Sequence, residues 1–274
     1  MNSHTIDIWE GLKYGGEAED KFRPTMDTYI LKGDKVRGAV LVCPGGAYRY
    51  TSPREAEPVA IKFNAAGYHA FVLNYSCAPR IHPQPLMDVS RAMCIIRENA
   101  KDWNIDPEKI AVCGFSAGGH AAASLGVFYD APYLKDVEGL TEGMNKPNAL
   151  ILSYPVISSG EFAHKESFKN LVGRDSSAEE QKAMSLEYAV TDKVPPTFIW
   201  HTFQDTSVPM ENTLFFAAAL RKNNIPFEMH IYPEGPHGLS LANEETRGEN
   251  MKNYPHVSTW MALCTEWLKD IMNF

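Results

Sequence analysis

The chain has 274 residues, of which 44% are hydrophobic and 22% are charged, and its formal net charge is −8. This length and balance are typical of a soluble globular protein and allow one large α/β domain or two small ones, of which we favour one domain. The excess of acidic residues argues against nucleic acids or anionic membranes as partners, because both require a basic surface.

The first predicted elements are a strand, a loop and a helix. Residues 38–43 are an apolar run that predicts a central strand, and a glycine-containing loop follows it. A helix is predicted next, over 54–66. Ser52 is its predicted N-cap, with Pro53 at the first helical position and Glu55 three residues after the cap, which is the pattern of a capping box.

The same alternation continues along the chain. Further strands are predicted at 68–75, 110–113, 149–154, 197–201 and 227–232, and further helices at 84–103, 117–125, 211–223 and 257–272. Such alternation indicates a mostly parallel sheet with helices on both faces. Between 155 and 195 the pattern weakens into short polar helices. We interpret this segment as a cap-like insertion within a single domain over 1–274, and a plain surface excursion is the alternative.

The pentapeptide Gly114-Phe115-Ser116-Ala117-Gly118 lies between a predicted strand and an alanine-rich helix. A sharp turn in this setting holds the serine in a strained backbone conformation and exposes its hydroxyl, as in a nucleophile elbow. The pattern alone is short enough to arise by chance. Ser116 is therefore a candidate nucleophile only if the chain also supplies a base and a group that orients the base.

Asp205 and His237 follow two later strands in the order that this chemistry requires. Asp205 lies in the loop after the strand at 197–201, and His237 lies in a Gly- and Pro-rich loop after the strand at 227–232. We predict that Asp205 orients His237 and that His237 accepts the proton of Ser116. The alternatives are that Asp205 only forms a turn or an N-cap and that His237 is an ordinary surface histidine.

Two of the other histidines are poorer candidates for the base. The chain has nine histidines. His120 lies one turn into the helix after the elbow, and we interpret it as a packed core residue. His201 precedes Asp205 in the chain, which is the wrong order for a base.

The oxyanion of a tetrahedral intermediate requires hydrogen-bond donors. The predicted donors are the backbone N–H of Ala117 and those of Gly46 and Ala47, in the glycine-containing loop over 44–48. A simple tight turn is the alternative for this loop.

Three side chains at the end of the loop or shortly after it are candidates for the substrate pocket, namely Tyr48, Tyr50 and Arg54. Aromatic rings can stack on sugar faces, although packing at the helix entry is the alternative for all three. Trp200 and Phe203 are open to the same two interpretations.

Taken together, four motifs resemble the small bacterial α/β-hydrolase esterases, particularly those similar to acetyl xylan and feruloyl esterases and to xylanase-associated lipase/esterase proteins. The motifs are Cys43-Pro44-Gly45-Gly46-Ala47-Tyr48, Gly114-Phe115-Ser116-Ala117-Gly118-Gly119-His120, Asp205 with Val208-Pro209, and Gly235-Pro236-His237-Gly238. The resemblance covers most of the chain, from about Gly38 onward. It implies an α/β-hydrolase fold with a mostly parallel sheet of about eight strands and helices on both faces.

The resemblance also implies a function, the cofactor-free hydrolysis of short acyl esters, commonly acetyl groups on sugars. The expected partner is accordingly a small acyl ester, with an acetylated carbohydrate as one candidate. One departure is that Pro44-Gly45-Gly46-Ala47 stands where lipase-like relatives usually have His-Gly-Gly-Gly. Fold analogy alone does not fix the substrate.

Two other functions stay open at the level of sequence. One is a serine peptidase of the prolyl-oligopeptidase type, although the chain has no room for the additional large domain of such enzymes. The other is a catalytically silent hydrolase-fold binding protein, although such proteins typically lose a triad member or the elbow glycines.

The N-terminus and the cysteines suggest a compartment. The first residues lack a signal-like pattern, and the five cysteines are scattered, so we expect a cytoplasmic protein without disulfides or a bound metal. A homo-oligomer is compatible with the sequence.

Overall fold

One sheet organises the computed structural model, which describes residues 3–14, 22–249 and 251–272. Within those ranges the sheet has eight strands in the order β1-β2-β4-β3-β5-β6-β7-β8. The strands are β1 Thr5–Asp7, β2 Thr25–Tyr29, β3 Arg37–Cys43, β4 His69–Asn74, β5 Ile105–Phe115, β6 Ala149–Ser153, β7 Thr197–Thr202 and β8 Phe227–Tyr232. Strand β2 runs antiparallel to both of its neighbours, and β3 to β8 pair in parallel.

Helices cover both faces of the sheet. In the described part of the chain they are α1 Glu57–Ala65, α2 Gln84–Glu98, α3 Ala117–Phe128, α4 Lys165–Val172, α5 Ala178–Ala183, α6 Glu211–Lys222 and α7 Trp260–Met272. One apolar cluster joins one face of the sheet to α2, α3 and α6, and a second cluster joins the other face to α1 and α7. The predicted mostly parallel sheet with helices on both faces is confirmed.

The topology positions a crevice beside β3. The connection after β3 leads to α1 on one face, whereas the connection after β5 leads to α3 on the opposite face. Where adjacent parallel strands send their connections to opposite faces, a crevice opens at their carboxyl ends, and ligands of such sheets bind there. The predicted oxyanion loop and Ser116 lie at these two strand ends.

The central strands are apolar because both of their sides are covered. From Gly38 to Cys43 every residue of β3 is buried, and β6 is buried throughout. A strand covered by helices on both faces reads as a continuous apolar run instead of alternating with polar residues. The runs that predicted β3 and β6 therefore reflect their central position in the sheet.

The start of α1 differs from the predicted capping box. Pro53–Glu55 form a single 3₁₀ turn, and the α-helix begins at Glu57. The Ser52 side chain makes no capping hydrogen bond. The Glu55 N–H donates to the Ser52 carbonyl instead, at 3.1 Å, and Glu55 itself is buried, with an exposed fraction of 3%.

The segment 155–195 contains α4, α5 and a 3₁₀ turn at Leu186–Tyr188. It is bonded to the rest of the molecule near the crevice: the Asn170 side-chain amide donates to the carbonyl of Ala47 at 2.8 Å. The His120 ring contacts the Met184 carbonyl at 2.9 Å. The cap-like role of this segment and the single-domain division stay predictions. No helix in the described ranges is long and apolar enough to cross a membrane.

Candidate active site

Ser116 lies at the turn between β5 and α3 with a strained backbone, at φ 54° and ψ −119°. A positive φ is uncommon for a residue with a side chain and persists only where the surroundings enforce it. The turn is tight because α3 packs directly on the end of β3. A Cβ at Gly118 would lie 2.1 Å from the carbonyl oxygen of Cys43, so a glycine is required there.

The three predicted catalytic side chains meet at this turn. His237 Nε2 lies 2.8 Å from Ser116 Oγ, and His237 Nδ1 lies 2.6 Å from Asp205 Oδ2. Because Nδ1 faces a carboxylate, the proton of the neutral ring belongs on Nδ1, and Nε2 is left to accept from the serine hydroxyl. The geometry is that of a nucleophile, a base and an orienting acid in one line.

Asp205 is buried and saturated with donors. Its Oδ1 accepts from the backbone N–H groups of Ser207 and Val208, at 3.0 and 2.9 Å. Its Oδ2 accepts from His237 and also from Nε2 of the fully buried His201, at 3.2 Å. Burial works to raise the pKa of Asp205, but the bonds from His201 and His237 outweigh it and hold that pKa below its usual range.

Arg54 and Tyr154 hold the loop that carries His237. The Arg54 guanidinium donates to the carbonyls of Gly238 and Thr246, at 3.0 and 2.9 Å. The ring of Tyr154 meets the His237 ring edge-on, with 5.0 Å between centroids. The imidazole, whose side chain is 20% exposed, is therefore oriented by packing as well as by its acid.

The predicted oxyanion loop lies against the nucleophile, and hydrogen bonds fix its peptide planes. The carbonyl of Gly45 accepts from Ser52 N–H at 2.8 Å, and that of Gly46 accepts from Arg49 N–H at 2.9 Å. The Gly45 carbonyl shares a peptide plane with the Gly46 N–H, and the Gly46 carbonyl shares one with the Ala47 N–H. In a trans peptide the N–H points opposite to the carbonyl, so these two N–H groups point away from Ser52 and Arg49.

The described part of the chain offers these N–H groups no acceptor. Among residues 3–14, 22–249 and 251–272, the backbone N–H groups of Gly46, Ala47 and Ala117 make no hydrogen bond. Ala117 also begins α3, whose N-terminus carries a partial positive charge. All three predicted donors are thus available for an anionic ligand atom.

The candidate pocket residues occupy different environments. Tyr48 is only 2% exposed, and its hydroxyl bonds to His120 Nδ1 at 2.9 Å, so its ring packs in the core and does not form an open wall. Arg54 is engaged with the His237 loop. Tyr50 and Phe203 are 53% and 66% exposed, whereas Trp200 is fully buried.

Comparisons with known proteins find similarity to proteins named as esterases and to one named as a xylanase. The BD-FAE family model matches residues 26–220. The chain belongs to the BD-FAE family. An endo-1,4-beta-xylanase B of Butyrivibrio fibrisolvens is 41% identical over 247 residues, 87% of this chain and 38% of that protein. An acetylxylan esterase of Xylanibacter ruminicola is 32% identical over 280 residues, 100% of this chain and 52% of that protein.

A solved structure resembles this BD-FAE chain over nearly its whole length. The acetyl ester-xyloside bifunctional hydrolase of Caldicellulosiruptor lactoaceticus matches with a TM-score of 0.87 and 39% identity, over 98% of this chain and 96% of that one. The predicted α/β-hydrolase fold and the resemblance to acetyl xylan esterases are confirmed. The chain spans about half the length, or less, of the two curated relatives.

Four residues of this BD-FAE site were missed in the sequence. Glu55 and Tyr154 bond to each other beneath the oxyanion loop, and Asn170 bonds to that loop. Burial, and after it the charge of His237, lower the pKa of His164. His164 was one of nine histidines and had no distinguishing motif, whereas Glu55 carried a signal that also fits a helix cap.

The described residues contain no group of three His, Cys, Asp or Glu side chains that could hold a metal ion. All five cysteines lie in the described ranges, and their thiols are free. Burial raises the pKa of Cys77 to about 12. Cys77 therefore stays a neutral thiol at physiological pH.

Proposed function

We propose that this chain is a serine carboxylic ester hydrolase that removes short acyl groups, acetyl groups in particular, from acetylated saccharides. The observation that carries the proposal is the 2.8 Å contact between Ser116 Oγ and His237 Nε2, in line with the 2.6 Å contact to Asp205. A serine hydroxyl is a poor nucleophile at neutral pH unless a positioned base accepts its proton.

In the first half of the reaction, His237 Nε2 accepts the proton of Ser116 as Oγ attacks the ester carbonyl carbon. Asp205 stabilises the imidazolium that forms, since its pKa is held low and it stays ionised. The carbonyl oxygen becomes an oxyanion that the N–H groups of Gly46, Ala47 and Ala117 bind. When the tetrahedral intermediate collapses, His237 returns the proton to the departing alcohol.

In the second half, a water molecule replaces the alcohol. His237 accepts a proton from this water while its oxygen attacks the acyl-enzyme carbonyl, and the same N–H groups bind the second oxyanion. Collapse restores the Ser116 hydroxyl and releases the carboxylic acid. Because the base must be neutral in both halves, turnover is expected to fall in acid.

Two kinds of observation support an acetylated saccharide as the substrate. Two of the similar proteins are named for acetyl ester or acetylxylan chemistry, and a third for xylan hydrolysis. In this chain, Tyr50 closely follows the oxyanion loop and Phe203 lies in the acid loop, and both expose their rings. Exposed aromatic faces suit the apolar faces of sugar rings.

The decisive experiment compares p-nitrophenyl acetate hydrolysis by the wild type and by Ser116→Ala. We expect kcat to fall by roughly 10⁶-fold, because the nucleophile acts as a unit with its base. Ser90→Ala, which makes the same change in a buried position of α2, is the matched control and should keep wild-type turnover. Substantial activity in Ser116→Ala would refute the role of this serine.

A second set of assays separates the alternatives. Loss of activity after treatment with a serine-directed phosphonate distinguishes an enzyme from a silent binding protein, and peptide p-nitroanilides test for a peptidase. Acetylated xylo-oligosaccharides are then compared with other acetylated sugars and with butyryl and longer aryl esters. If aryl acetates are hydrolysed and no acetylated sugar is, the saccharide part of the proposal fails.

A further inference from the structure

A buried carboxylate lies directly beneath the oxyanion loop. Glu55 Oε2 accepts from the backbone N–H of Gly45 at 2.8 Å, and Glu55 Oε1 accepts from the hydroxyl of Tyr154 at 2.6 Å. Tyr154 in turn accepts from the backbone N–H of Ser240 at 2.8 Å. Ser240 follows His237 by three residues. One side chain thus connects the oxyanion loop, the end of β6 and the histidine loop.

We propose that Glu55 is a positioning residue that, together with Tyr154, sets the oxyanion loop and His237 in register with Ser116. The inference rests on the proposed function, since it assigns Glu55 a part in the same reaction. Glu55 does not touch the substrate in this scheme. It acts through Gly45 on one side and through Tyr154 on the other.

The direction of each hydrogen bond in this network of Gly45, Glu55, Tyr154 and Ser240 is fixed. A backbone N–H can only donate, so Gly45 and Ser240 are both donors. Because the Tyr154 oxygen accepts from Ser240, its proton is free to point at Glu55. Burial and the nearby charge of Glu55 raise the pKa of Tyr154 well above its usual value, so the phenol keeps that proton. The site therefore requires a side chain that offers two acceptors and no donor, which describes a carboxylate.

Glu55 decides which N–H groups of the loop remain free. Glu55 accepts from the N–H of Gly45, while the backbone N–H groups of Ser52 and Arg49 donate to the carbonyls of Gly45 and Gly46. The next two N–H groups, of Gly46 and Ala47, are the ones left for an oxyanion. Without the bond between Gly45 N–H and Glu55, the backbone at Gly45 could rotate and change the direction of the Gly46 and Ala47 N–H groups.

There is little room for a water molecule between Glu55 and the oxyanion loop. A Cβ at Gly45 would lie 2.8 Å from Glu55 Oε2 and 2.9 Å from Ser116 Cβ. The carboxylate, the loop and the nucleophile are thus closely packed, and a bridging water would not fit between them. The position of Glu55 is consequently transmitted directly to the loop.

The other arm of the network reaches the base. The Tyr154 ring meets the His237 ring at 5.0 Å and 72°, and it meets the Trp200 ring at 5.0 Å and 90°. Tyr154 also has a positive φ of 39°, which is unusual for a bulky residue and indicates that its surroundings hold it in place. Loss of the bond to Glu55 would release the ring that supports the base.

The test uses Glu55→Gln and Tyr154→Phe. A glutamine in place of Glu55 has one acceptor where the site has two donors, so it cannot accept from Gly45 N–H and from the Tyr154 hydroxyl at the same time. We expect kcat on p-nitrophenyl acetate to fall about 10- to 100-fold in Glu55→Gln, with little change in KM, because small displacements of aligned groups carry such costs. Tyr154→Phe, which keeps the aromatic ring and leaves the bond between Glu55 and Gly45 intact, should lose roughly 3- to 10-fold.

A second readout separates positioning from a merely structural role. An aryl boronic acid that forms a tetrahedral adduct on a catalytic serine should bind each variant more weakly, in parallel with the loss in kcat/KM. Active-site titration with a phosphonate corrects both measurements for unfolded protein. Asp88→Asn also removes a buried carboxylate and is the matched control: it should lower thermal stability and leave kcat and boronate affinity unchanged.

The outcomes are distinct. If Ser116→Ala is inactive but titrated Glu55→Gln retains wild-type kcat and boronate affinity, Glu55 has only a structural role and the inference is overturned. Parallel losses in kcat and boronate affinity, absent from Asp88→Asn, support it. A wild-type protein that hydrolyses no ester and resists the phosphonate would overturn the proposed function, and this inference with it.

Discussion

Replacing Asp205 by asparagine should inactivate the protein by changing the tautomer of His237. Asp205 Oδ1 accepts from two backbone N–H groups, which only an oxygen can satisfy. The amide oxygen of the introduced asparagine is therefore expected at the Oδ1 position, and its NH₂ group takes the place of Oδ2. That group would donate to His237 Nδ1, so the ring proton must move to Nε2. A protonated Nε2 cannot accept from Ser116.

The magnitude follows from the loss of the base. A wrong-tautomer imidazole in this arrangement lowers kcat by about 10⁴, which corresponds to about 5.5 kcal/mol in the barrier at 1.36 kcal/mol per factor of ten. The measurement is kcat on p-nitrophenyl acetate, with circular dichroism to confirm that the variant is folded. Asp130→Asn, which removes an exposed carboxylate paired with Lys193, is the control and should leave kcat unchanged.

One result would refute this reasoning. If folded Asp205→Asn kept more than about a tenth of the wild-type kcat, the orientation of His237 would not depend on Asp205. A crystal structure of the variant would add a direct check. It should show the amide nitrogen toward His237 and the amide oxygen toward Ser207 and Val208.

Two further predictions concern stability and the oxyanion loop. Burial lowers the pKa of His120 from 6.5 to about 4, so the folded state resists protonation that the unfolded chain accepts. The free energy of unfolding should therefore decrease by up to about 3 kcal/mol as pH falls from 6.5 to 4. Urea titrations of His120→Gln should show a free energy of unfolding that lacks this pH-dependent decrease. An equal pH dependence in the wild type and in His120→Gln would contradict the prediction. Gly46 has φ 135° and a Cβ there would lie 2.0 Å from the Tyr50 carbonyl oxygen, so Gly46→Ala should lower kcat by roughly 100-fold. Gly33→Ala, at φ 101° with open space around it, should cost only about 1 kcal/mol of stability and no activity, and equal kcat losses in the two variants would argue against a special role for the loop.

The proximity of Ser116, Asp205 and His237 could be anticipated because each follows a strand of the same sheet. Parallel strands bring their carboxyl ends to one edge, and the chain order of the three loops was readable from local motifs. The long apolar runs of β3 to β7 were equally readable. In these cases a local signal and the tertiary structure agree.

Other features depended on partners distant in the chain. Strand β1 has only three residues, and its pairing with β2 cannot be inferred from so short a pattern. The Glu55 motif fits a capping box, and the partner that draws the carboxylate inward is Tyr154, 99 residues away. Tertiary contacts of this kind override local preference, and a single sequence carries no record of them.

The left-handed backbone at Ser116 has a consequence for how this fold can change. Three hydrogen bonds hold the residue in place: its N–H donates to Ser153, and its carbonyl accepts from His120 and Val156. A non-glycine residue at such a φ costs on the order of 1 kcal/mol, so the free energy of unfolding of Ser116→Gly should be larger than that of the wild type. Folding alone would thus favour losing the serine, and only selection for chemistry would retain it. A related protein that binds ligands without catalysis could therefore become more thermostable by replacing this serine with glycine.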